Sequence, residues 1–571
     1  MDEFLKSGQH DLTTEIGKIG SEIDRRRLLT RAAALAVGAT VLGNAAVANA
    51  GTTRSAAAGA GRRRTQVDKL VVALAGNILA LNPDGPGQNN VPSFTAYYAC
   101  YDALTNYGWP LKLAETQKKL AVGLATLVTP QLATSWTSSK GNTVWRFNLR
   151  KGVMSQYGNE LSADDVVWSI QKSLAAKATG AFIAGVVGGI GSPDAVKAID
   201  KYTVEFTLAF PTDRVLLAVG WGGGGAPVVY DSVEAKKHAT AKDPWANEWL
   251  NKNTAGYGRY TLKSMTPGGT SATFEARDDY WGAKPGAKTV IQQATTDSGS
   301  RLQLLLTGAT QFSADLSIVQ LDQVTKSPKA KVVHVDSSTA AFLPLTLKAP
   351  WNDPKIRMAI AQAIPYDDIL KSVFRGRAKP YQSILPGYLP ESTNKFAIKT
   401  DYDAAKAVLS TVTTPLTLAY SDGLTIDEQI ALLVQQGLKK AGFNLTLQKQ
   451  PVGEFSTKRF TQGNEFFVDN LATPGVPAVD YYFELYCGKG GFFNFYKWTT
   501  PAFEAALAKT KSASKAARAA GALAGQKEFM ANLPFIPVAW NGGDYAVAKT
   551  ITIPFANTAN GLVWWRDFRT A

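Results

Sequence analysis

The stretch from Ala133 to Ile170, ATSWTSSKGNTVWRFNLRKGVMSQYGNELSADDVVWSI, limits what this chain can fold into more than any other. Ser135-Trp136-Thr137 reads as a short strand. Ser139 to Asn142 reads as a turn in which Gly141 is free to take positive φ. From Thr143 to Leu149, Val144, Arg146 and Asn148 alternate with Trp145, Phe147 and Leu149, the period of a half-buried strand. The two strands make a hairpin. After Arg150-Lys151-Gly152 a helix opens, with Ser162 placed to cap it and Asp165 three residues on, close to a capping box. Val166, Val167 and Ile170 give that helix its apolar face. Hairpin then helix, in this order, is the arrangement of an α/β protein.

Length and composition set the scale. The 571 residues correspond to roughly three or four domain equivalents. With 45% hydrophobic and 19% charged residues the chain is of ordinary globular type, large enough to need no disulfide staple. The formal net charge is +15, and it is the same without residues 1–50, which hold six Lys/Arg and six Asp/Glu. A basic surface can favour anionic ligands or acidic headgroups, and colloidal solubility is its plainer role. No dense Lys/Arg stripe with interleaved aromatics occurs, so no nucleic-acid partner is expected.

Residues 1–50 read as a twin-arginine-type signal peptide. Asp24-Arg25-Arg26-Arg27-Leu28-Leu29-Thr30 precedes an apolar run from Ala32 to Val47, and Ala48-Asn49-Ala50 is a small-x-small cleavage site. Asp24 stands where Ser is usual before the Arg pair, which leaves a Sec signal open. The run is too short and Ala-rich for a membrane span. No Cys follows it, so the expectation is a soluble, exported, periplasmic protein that is not a lipoprotein. Residues 51–64 form a flexible lead-in ending in Arg62-Arg63-Arg64.

Further along, Leu70–Leu74 reads as a strand, Ser93–Tyr107 as a helix with Phe94, Tyr97, Tyr98, Tyr101 and Leu104 at helical spacing, and Lys201–Phe210 as a strand. The glycine run at 222–225 is only superficially a phosphate loop, since no Lys-Ser/Thr follows it. The three histidines, His10, His238 and His334, are not at metal-ligand spacing, and neither cysteine lies in a C-x-x-C pair. No G-x-S-x-G elbow occurs. Pairs such as Asp164-Asp165 sit at helix starts, where capping suffices. No metal, no cofactor and no enzymatic activity are expected.

Several segments, taken in order, resemble one family. They are the S-W strand and aromatic strand ending Leu149-Arg150-Lys151-Gly152-Val153, the helix LSADDVV, and Asn253-Thr254-Ala255-Gly256-Tyr257-Gly258-Arg259-Tyr260-Thr261-Leu262. Asn352-Asp353-Pro354 follows, opening a helix with Arg357 and the stripe Ile356, Ala359, Ile360 and Ala363; Pro365 restarts it and Gly376 closes it. Then come Tyr402 to Leu409, Ile430 to Gly442 and Phe535-Ile536-Pro537-Val538. In this order, from about residue 70 to 545, they are similar to the extracellular solute-binding proteins of peptide, dipeptide and nickel ABC transporters, family 5. The chain departs from that pattern at Met154 to Gly158, at Arg259 in place of Pro, and at Gln311 in place of Asp.

The resemblance implies a three-lobed α/β fold of the periplasmic-binding-protein type. Lobe I would comprise 65–112, 200–340 and 540–571, lobe II 113–199, and lobe III 341–539. It implies capture of a small polar solute or peptide between lobes I and III, and delivery to a cognate ABC permease in the cytoplasmic membrane, by a monomer. A periplasmic hydrolase or peptide-handling enzyme on the same scaffold is the alternative. Ligand positions carried over from local motifs are Asn90, Val91, Asp315, Arg459, Phe493, Asn494, Trp540 and Asn541, with Phe493 and Trp540 as aromatic walls. Cys100 and Cys487 fall on different lobes, so two separate buried thiols are expected. Peptide-binding members hold the free α-amine with an Asp in a G-W-x-x-D-Y segment. Here the equivalent is Leu471 to Val476, without an Asp, and Asp480 is the nearest acid downstream. A buried ammonium needs a partner, so an amine would turn to Asp480 or Asp315. Weak binding of plain peptides is expected, with a ligand carrying an acidic or neutral polar group.

Overall fold

The computed structural model describes residues 67–570 apart from 86–90, 108–114, 116–117, 120–123, 178, 222–226, 382, 423, 452–453, 456–457, 460, 473–477, 490, 492, 513, 555 and 557–561. The targeting segment, the lead-in, Asn90, the glycine run and Val476 therefore lie outside the described residues.

Strand β1 (Val67–Leu74) buries Leu70, Val72, Ala73 and Leu74. Both its neighbours run parallel to it, and a strand inside a parallel sheet reads as a continuous apolar run. Helix α1 (Val91–Cys100) buries the expected Phe94, Tyr97 and Tyr98 but ends well short of Tyr107. The reason is a competing backbone bond. The Cys100 carbonyl accepts from Gly258 N at 2.9 Å, and Leu104 N donates to Val219 O at 3.1 Å, so the next helical bond is lost. A Cβ on Gly258 would fall 2.3 Å from the Cys100 carbonyl carbon, which explains the glycine there.

The hairpin forms as expected. Strand β2 (Ala133–Ser139) pairs with β3 (Val144–Leu149), and Gly141 in the turn has φ +64°. Trp145, Phe147 and Leu149 are buried while Arg146 and Asn148 are exposed. Helix α2 (Ala163–Ala176) starts on a true capping box, with Ser162 N donating to Asp165 Oδ2 at 2.8 Å. Strands β4 (Val196–Asp200) and β5 (Thr203–Thr207) complete a sheet of order β2-β3-β5-β4. The expected Lys201–Phe210 strand is shortened to β5. Val166 and Ile170 of α2 pack with Phe147, Val204 and Phe206 in one core. Lys172, wholly buried on α2, meets Asp84 Oδ2 at 3.0 Å and Asn82 Oδ1 at 2.9 Å, tying this unit to the loop after β1.

Strands β6 (Tyr260–Met265), β7 (Ser271–Ala276), β8 (Ala287–Ala294) and β9 (Phe312–Ser313) surround β1. Gln311 uses its side chain to accept from Val71 N at 2.8 Å, so it braces β1 where the family has Asp. Arg259 donates to Asp567 Oδ1 at 2.6 Å, fastening the C-terminal segment where the family has Pro.

Next come β10 (Ala330–Pro344), α3 (Pro354–Gln362), β11 (Ala378–Pro380), β12 (Leu416–Ser421), α4 (Thr425–Lys440), β13 (Leu445–Gln450), β14 (Phe466–Phe467), β15 (Asp469–Ala472), α5 (Val479–Cys487) and β16 (Phe535–Ala548). The large sheet has the order β15-β10-β16-β9-β1-β8-β7-β6, with β11 also on β16. A second, parallel sheet has the order β13-β12-β14.

Strands β10 and β16 pair antiparallel from Ala330↔Ala548 to Pro344↔Phe535, with a register shift between Val335 and Thr339. On one side of that shift, Val335 and Val547 belong to the core of β1 and α1. On the other, Ala340 to Leu343 and Ile536 to Trp540 belong to the core of α3, α4 and α5. Cys100 and Cys487 sit in these two different cores, both buried and free; burial pushes Cys100 up to about 12 and Cys487 well above the ordinary thiol value.

Helix α3 begins as its sequence predicts, with Asp353 accepting from Lys355 N at 2.8 Å and Pro354 in the first turn. Its Arg357 is 1% exposed and spends all five N–H groups on carbonyls: Leu345, Thr346 and Trp351 on one side, Leu533 and Pro534 on the other. Burial pulls its guanidinium down to about 10. Arg357→Lys offers three donors for five acceptors. It should destabilise the protein by on the order of 3 kcal/mol, read by urea unfolding; an unchanged midpoint would show that the clamp carries no stability.

Candidate ligand site

The residues that gather where β10 and β16 pass between cores are aromatic. Trp540 on β16 lies 4.0 Å, centroid to centroid, from Tyr381, which follows β11. Pairing of Lys379 with Trp540 puts Tyr381 there. Tyr482 and Tyr486, one turn apart on α5, share a face. Tyr482 meets Trp540 edge-on at 6.1 Å, and Tyr486 stacks on Phe493 at 5.4 Å. Phe342 of β10 reaches Tyr486 at 5.6 Å.

Charges flank this wall in pairs. Arg459 Nη2 lies 2.8 Å from Asp469 Oδ2, both buried, and the guanidinium sits 5.3 Å from the Phe495 ring and 6.0 Å from Phe493. Asp427, in the first turn of α4, is buried near them, and its Oδ1 has no hydrogen-bond partner. Burial first, then the neighbouring Asp469, pushes its carboxyl up to about 8, against the pull of Arg459 and of an Asn470 hydrogen bond. Asn541 Nδ2 donates to Asn470 Oδ1 at 2.8 Å.

One ion pair joins two cores. Asp480, wholly buried in the first turn of α5, pairs with Arg214. Arg214 immediately precedes Val215 to Val219, which pack with β3 and α2. Burial pulls Arg214 down to about 9, against Asp213 and Glu484.

Of the residues expected from sequence, Phe493 and Trp540 belong to this core; Arg459 lies over Phe493, Asp480 is on the helix of Tyr482 and Tyr486, Asn494 follows Phe493, and Asn541 follows Trp540. Val91 and Asp315 lie with the other core. Val91 is 38% exposed at the start of α1. Asp315 is exposed at φ +58°, and its carbonyl accepts from Arg301. Asn90 is outside the described residues. Asn494 uses its amide to close its own loop, donating to Gly488 O at 3.0 Å and Trp498 O at 2.7 Å and accepting from Trp498 N. Asp480, expected to be open to an amine, is engaged by Arg214.

Tyr381, Tyr486, Asp427, Asp469 and Arg214 were not foreseen. Only Tyr482 and Tyr486 carried a signal, their spacing of four in VDYYFELYC. A separate recess of about 330 Å³ opens beside β12, β13 and β14, lined by Thr417, Gln448, Asn464 and Glu465. It shares no residue with the aromatic wall, and Asn464 is already bonded to Gln450. Among the described residues no group of three metal-ligating side chains occurs.

The acid at 427 makes stability depend on pH. Its folded-state value is above the ~4 of an unfolded Asp, so its contribution is full below pH ~4 and is lost as pH rises through about 8. Asp427→Asn keeps the neutral form at every pH. Between pH 5 and 8 the wild-type Tm should fall more steeply than that of Asp427→Asn; parallel curves would refute the assignment.

With this geometry in hand, the chain can be set beside known proteins. A family model described as "Bacterial extracellular solute-binding proteins, family 5 Middle" matches residues 128–494. The Probable D,D-dipeptide-binding periplasmic protein DdpA of Escherichia coli (strain K12) is 28% identical over 393 residues, 67% of this chain and 70% of that protein. The Dipeptide-binding protein of the same organism is 25% identical over 416 residues, 70% of this chain and 69% of that one. Among solved structures, the dipeptide binding protein from Pseudoalteromonas sp. SM9913 in complex with Met-Leu matches with a TM-score of 0.74 at 19% identity, covering 88% of this chain and all of that one. DppA from Helicobacter pylori in complex with peptide STSA matches at 0.71 and 21%, covering 89% and 98%. These neighbours share the periplasmic-binding-protein fold. Because the family model spans the hairpin, β10, α3 to α5 and the aromatic segment up to Asn494, the chain belongs to the bacterial extracellular solute-binding proteins of family 5.

Proposed function

We propose that the protein is the extracytoplasmic substrate-binding component of an ABC importer. It captures a small polar solute or peptide and hands it to a cognate permease in the cytoplasmic membrane, acting as a monomer. The observation that carries this reading, beside family membership, is the strand pair β10–β16, shared by two cores with an aromatic wall at the crossing. Two bodies joined by a few crossing backbones can open and close about them, and a wall of rings is what buries a ligand. In this reading lobe I is 65–112, 200–340 and 540–571, lobe II 113–199 and lobe III 341–539. Asn90, Val91, Asp315, Arg459, Asp480, Phe493, Asn494, Trp540 and Asn541 belong to its ligand-facing region.

The N-terminal pattern supports export with cleavage after Ala50, and no helix among the described residues is long and apolar enough to cross a membrane. A periplasmic, lipid-free receptor follows from this reading. The relatives named above include dipeptide-binding proteins. That supports a peptide-sized ligand and leaves its chemistry to the side chains at the wall.

Native mass spectrometry of protein purified from its own cells should find a small molecule that, added back, raises Tm by mass action. At a hundred times Kd the gain is ~2.7 kcal/mol. A protein that holds nothing and is stabilised by no solute contradicts the receptor reading, and turnover of the bound molecule would favour an enzyme.

The Arg214–Asp480 pair should hold the two sides together. Removing one partner strands a buried charge, at a cost of about 3–5 kcal/mol. Asp480→Ala should therefore lose stability or open, giving a larger radius of gyration in X-ray scattering, while Arg214→Met with Asp480→Leu should recover most of the loss. If the single and double variants lose equally, the pair is not a joint.

A further inference from the structure

Three buried donors at the aromatic wall have unspent hydrogens. Trp540 Nε1, Tyr381 Oη and Tyr486 Oη have no hydrogen-bond partner. Their residues are 5%, 4% and 0% exposed. Beside them, Tyr388 and Tyr482 share a bond at 3.1 Å, and Asn541 Nδ2 donates to Asn470 Oδ1. An orphaned buried donor costs about 1–3 kcal/mol, so three together mark a place where the protein alone is incomplete.

The three belong to one chain of rings. Tyr381 lies tilted against Trp540 at 4.0 Å, and Tyr486 is linked to Trp540 through Tyr482. After burial, the charge of Tyr381 is the next cause that raises Tyr486, so the two hydroxyls feel each other. Both phenols lie well above their ordinary value and keep their protons at any physiological pH.

The chemistry of the missing partner follows from the donors. An indole N–H donates only, so the partner must accept. A single carbonyl oxygen has two lone pairs, whereas an ionised carboxylate has two oxygens with about four sites. Three donors therefore match a carboxylate, and hydrogen bonds to an ionised acceptor are the stronger kind. For a protonated amine the acids at the wall offer little: Asp427, whose Oδ1 has no hydrogen-bond partner, is held toward its neutral form by burial. Asp469 and Asp480 are engaged by Arg459 and Arg214. The net charge of +15 draws anions rather than cations.

We propose that Trp540, Tyr381 and Tyr486 form the subsite that receives a carboxylate group of the ligand. The proposal rests on the receptor reading and narrows it: the captured solute carries a free carboxylate, whether as a small organic acid or as the C-terminus of a peptide. A free amine is not what the site reads.

The test uses the mature full-length protein with two probe sets, by calorimetry and thermal shift. One set carries carboxylates without an amine: succinate, gluconate and N-acetyl-Gly-Leu. The other carries amines without a carboxylate: putrescine and Gly-Leu amide. Binding is expected from the first set only. Tyr381→Phe and Tyr486→Phe each remove one donor and keep the ring, so their ligand-free Tm should stay level or rise; Trp540→Phe removes its donor but also shrinks a buried ring, so it is read by affinity alone. Affinity for the bound carboxylate should fall about tenfold per variant. Binding from the amine set alone overturns the proposal and leaves the receptor reading standing. So does unchanged carboxylate affinity in all three variants. A fall of several degrees in ligand-free Tm of both Tyr→Phe variants would also overturn it, since the donors would then already be spent on structure. If neither set binds, the subsite is refuted, and if no solute of any kind is captured the receptor reading falls with it.

Discussion

The antiparallel pair β10–β16 is the constraint on which the rest of this molecule depends. Residues of both strands take part in both large cores, and the register shift between Val335 and Thr339 lies where the chain passes from one to the other. Past the shift, the strands have to be held together at their far ends. Arg357 does this from α3: its carbonyl partners are the residues leaving β10 and those entering β16. A guanidinium with five fixed donors suits that task, because backbone carbonyls at strand ends otherwise lack partners. The clamp fixes β16, β16 fixes Trp540, and β11 on β16 fixes Tyr381 against it.

Four buried ion pairs tie separate parts of the fold together. Lys172 with Asp84 ties α2 to the loop after β1, and Arg566 with Asp102 fastens the C-terminal segment to the end of α1. Arg459 with Asp469 ties the second parallel sheet's surroundings to the large sheet. Arg214 with Asp480 crosses between cores. Such pairs contribute little net stability against apolar substitutes, but breaking one leaves an uncompensated charge. At the aromatic wall the consequence is chemical. The acids there are engaged or hold a proton, while indole and phenol hydrogens remain unspent.

How much was legible differs from segment to segment. The hairpin and helix of 133–170 were readable almost to the residue, because alternation, a glycine turn and a capping box are local signals. Helix α3 was readable for the same reason, through Asp353 and Pro354. The aromatic helix over 93–107 was misread in length: its periodicity continues, but a glycine from 158 residues away takes the Cys100 carbonyl. Phe493 and Trp540 were picked out as walls, and both lie in the aromatic cluster. Tyr381 has no local pattern that would single it out. Arg214 likewise follows a Pro-Thr-Asp turn that says nothing about Asp480.

The sequence by itself determined the α/β class, the family, the separation of the two cysteines and the lack of metal-ligand spacing. These rest on neighbours within a few turns or on motifs kept in order along the chain. Only the tertiary structure decided which acids are free and which donors lack partners. Those properties depend on what a side chain meets across the fold, and the pairs that fix them, 214 with 480, 459 with 469 and 381 with 540, come from different elements. Ligand chemistry is set by such long-range company, because burial makes every unpartnered polar atom costly and so meaningful.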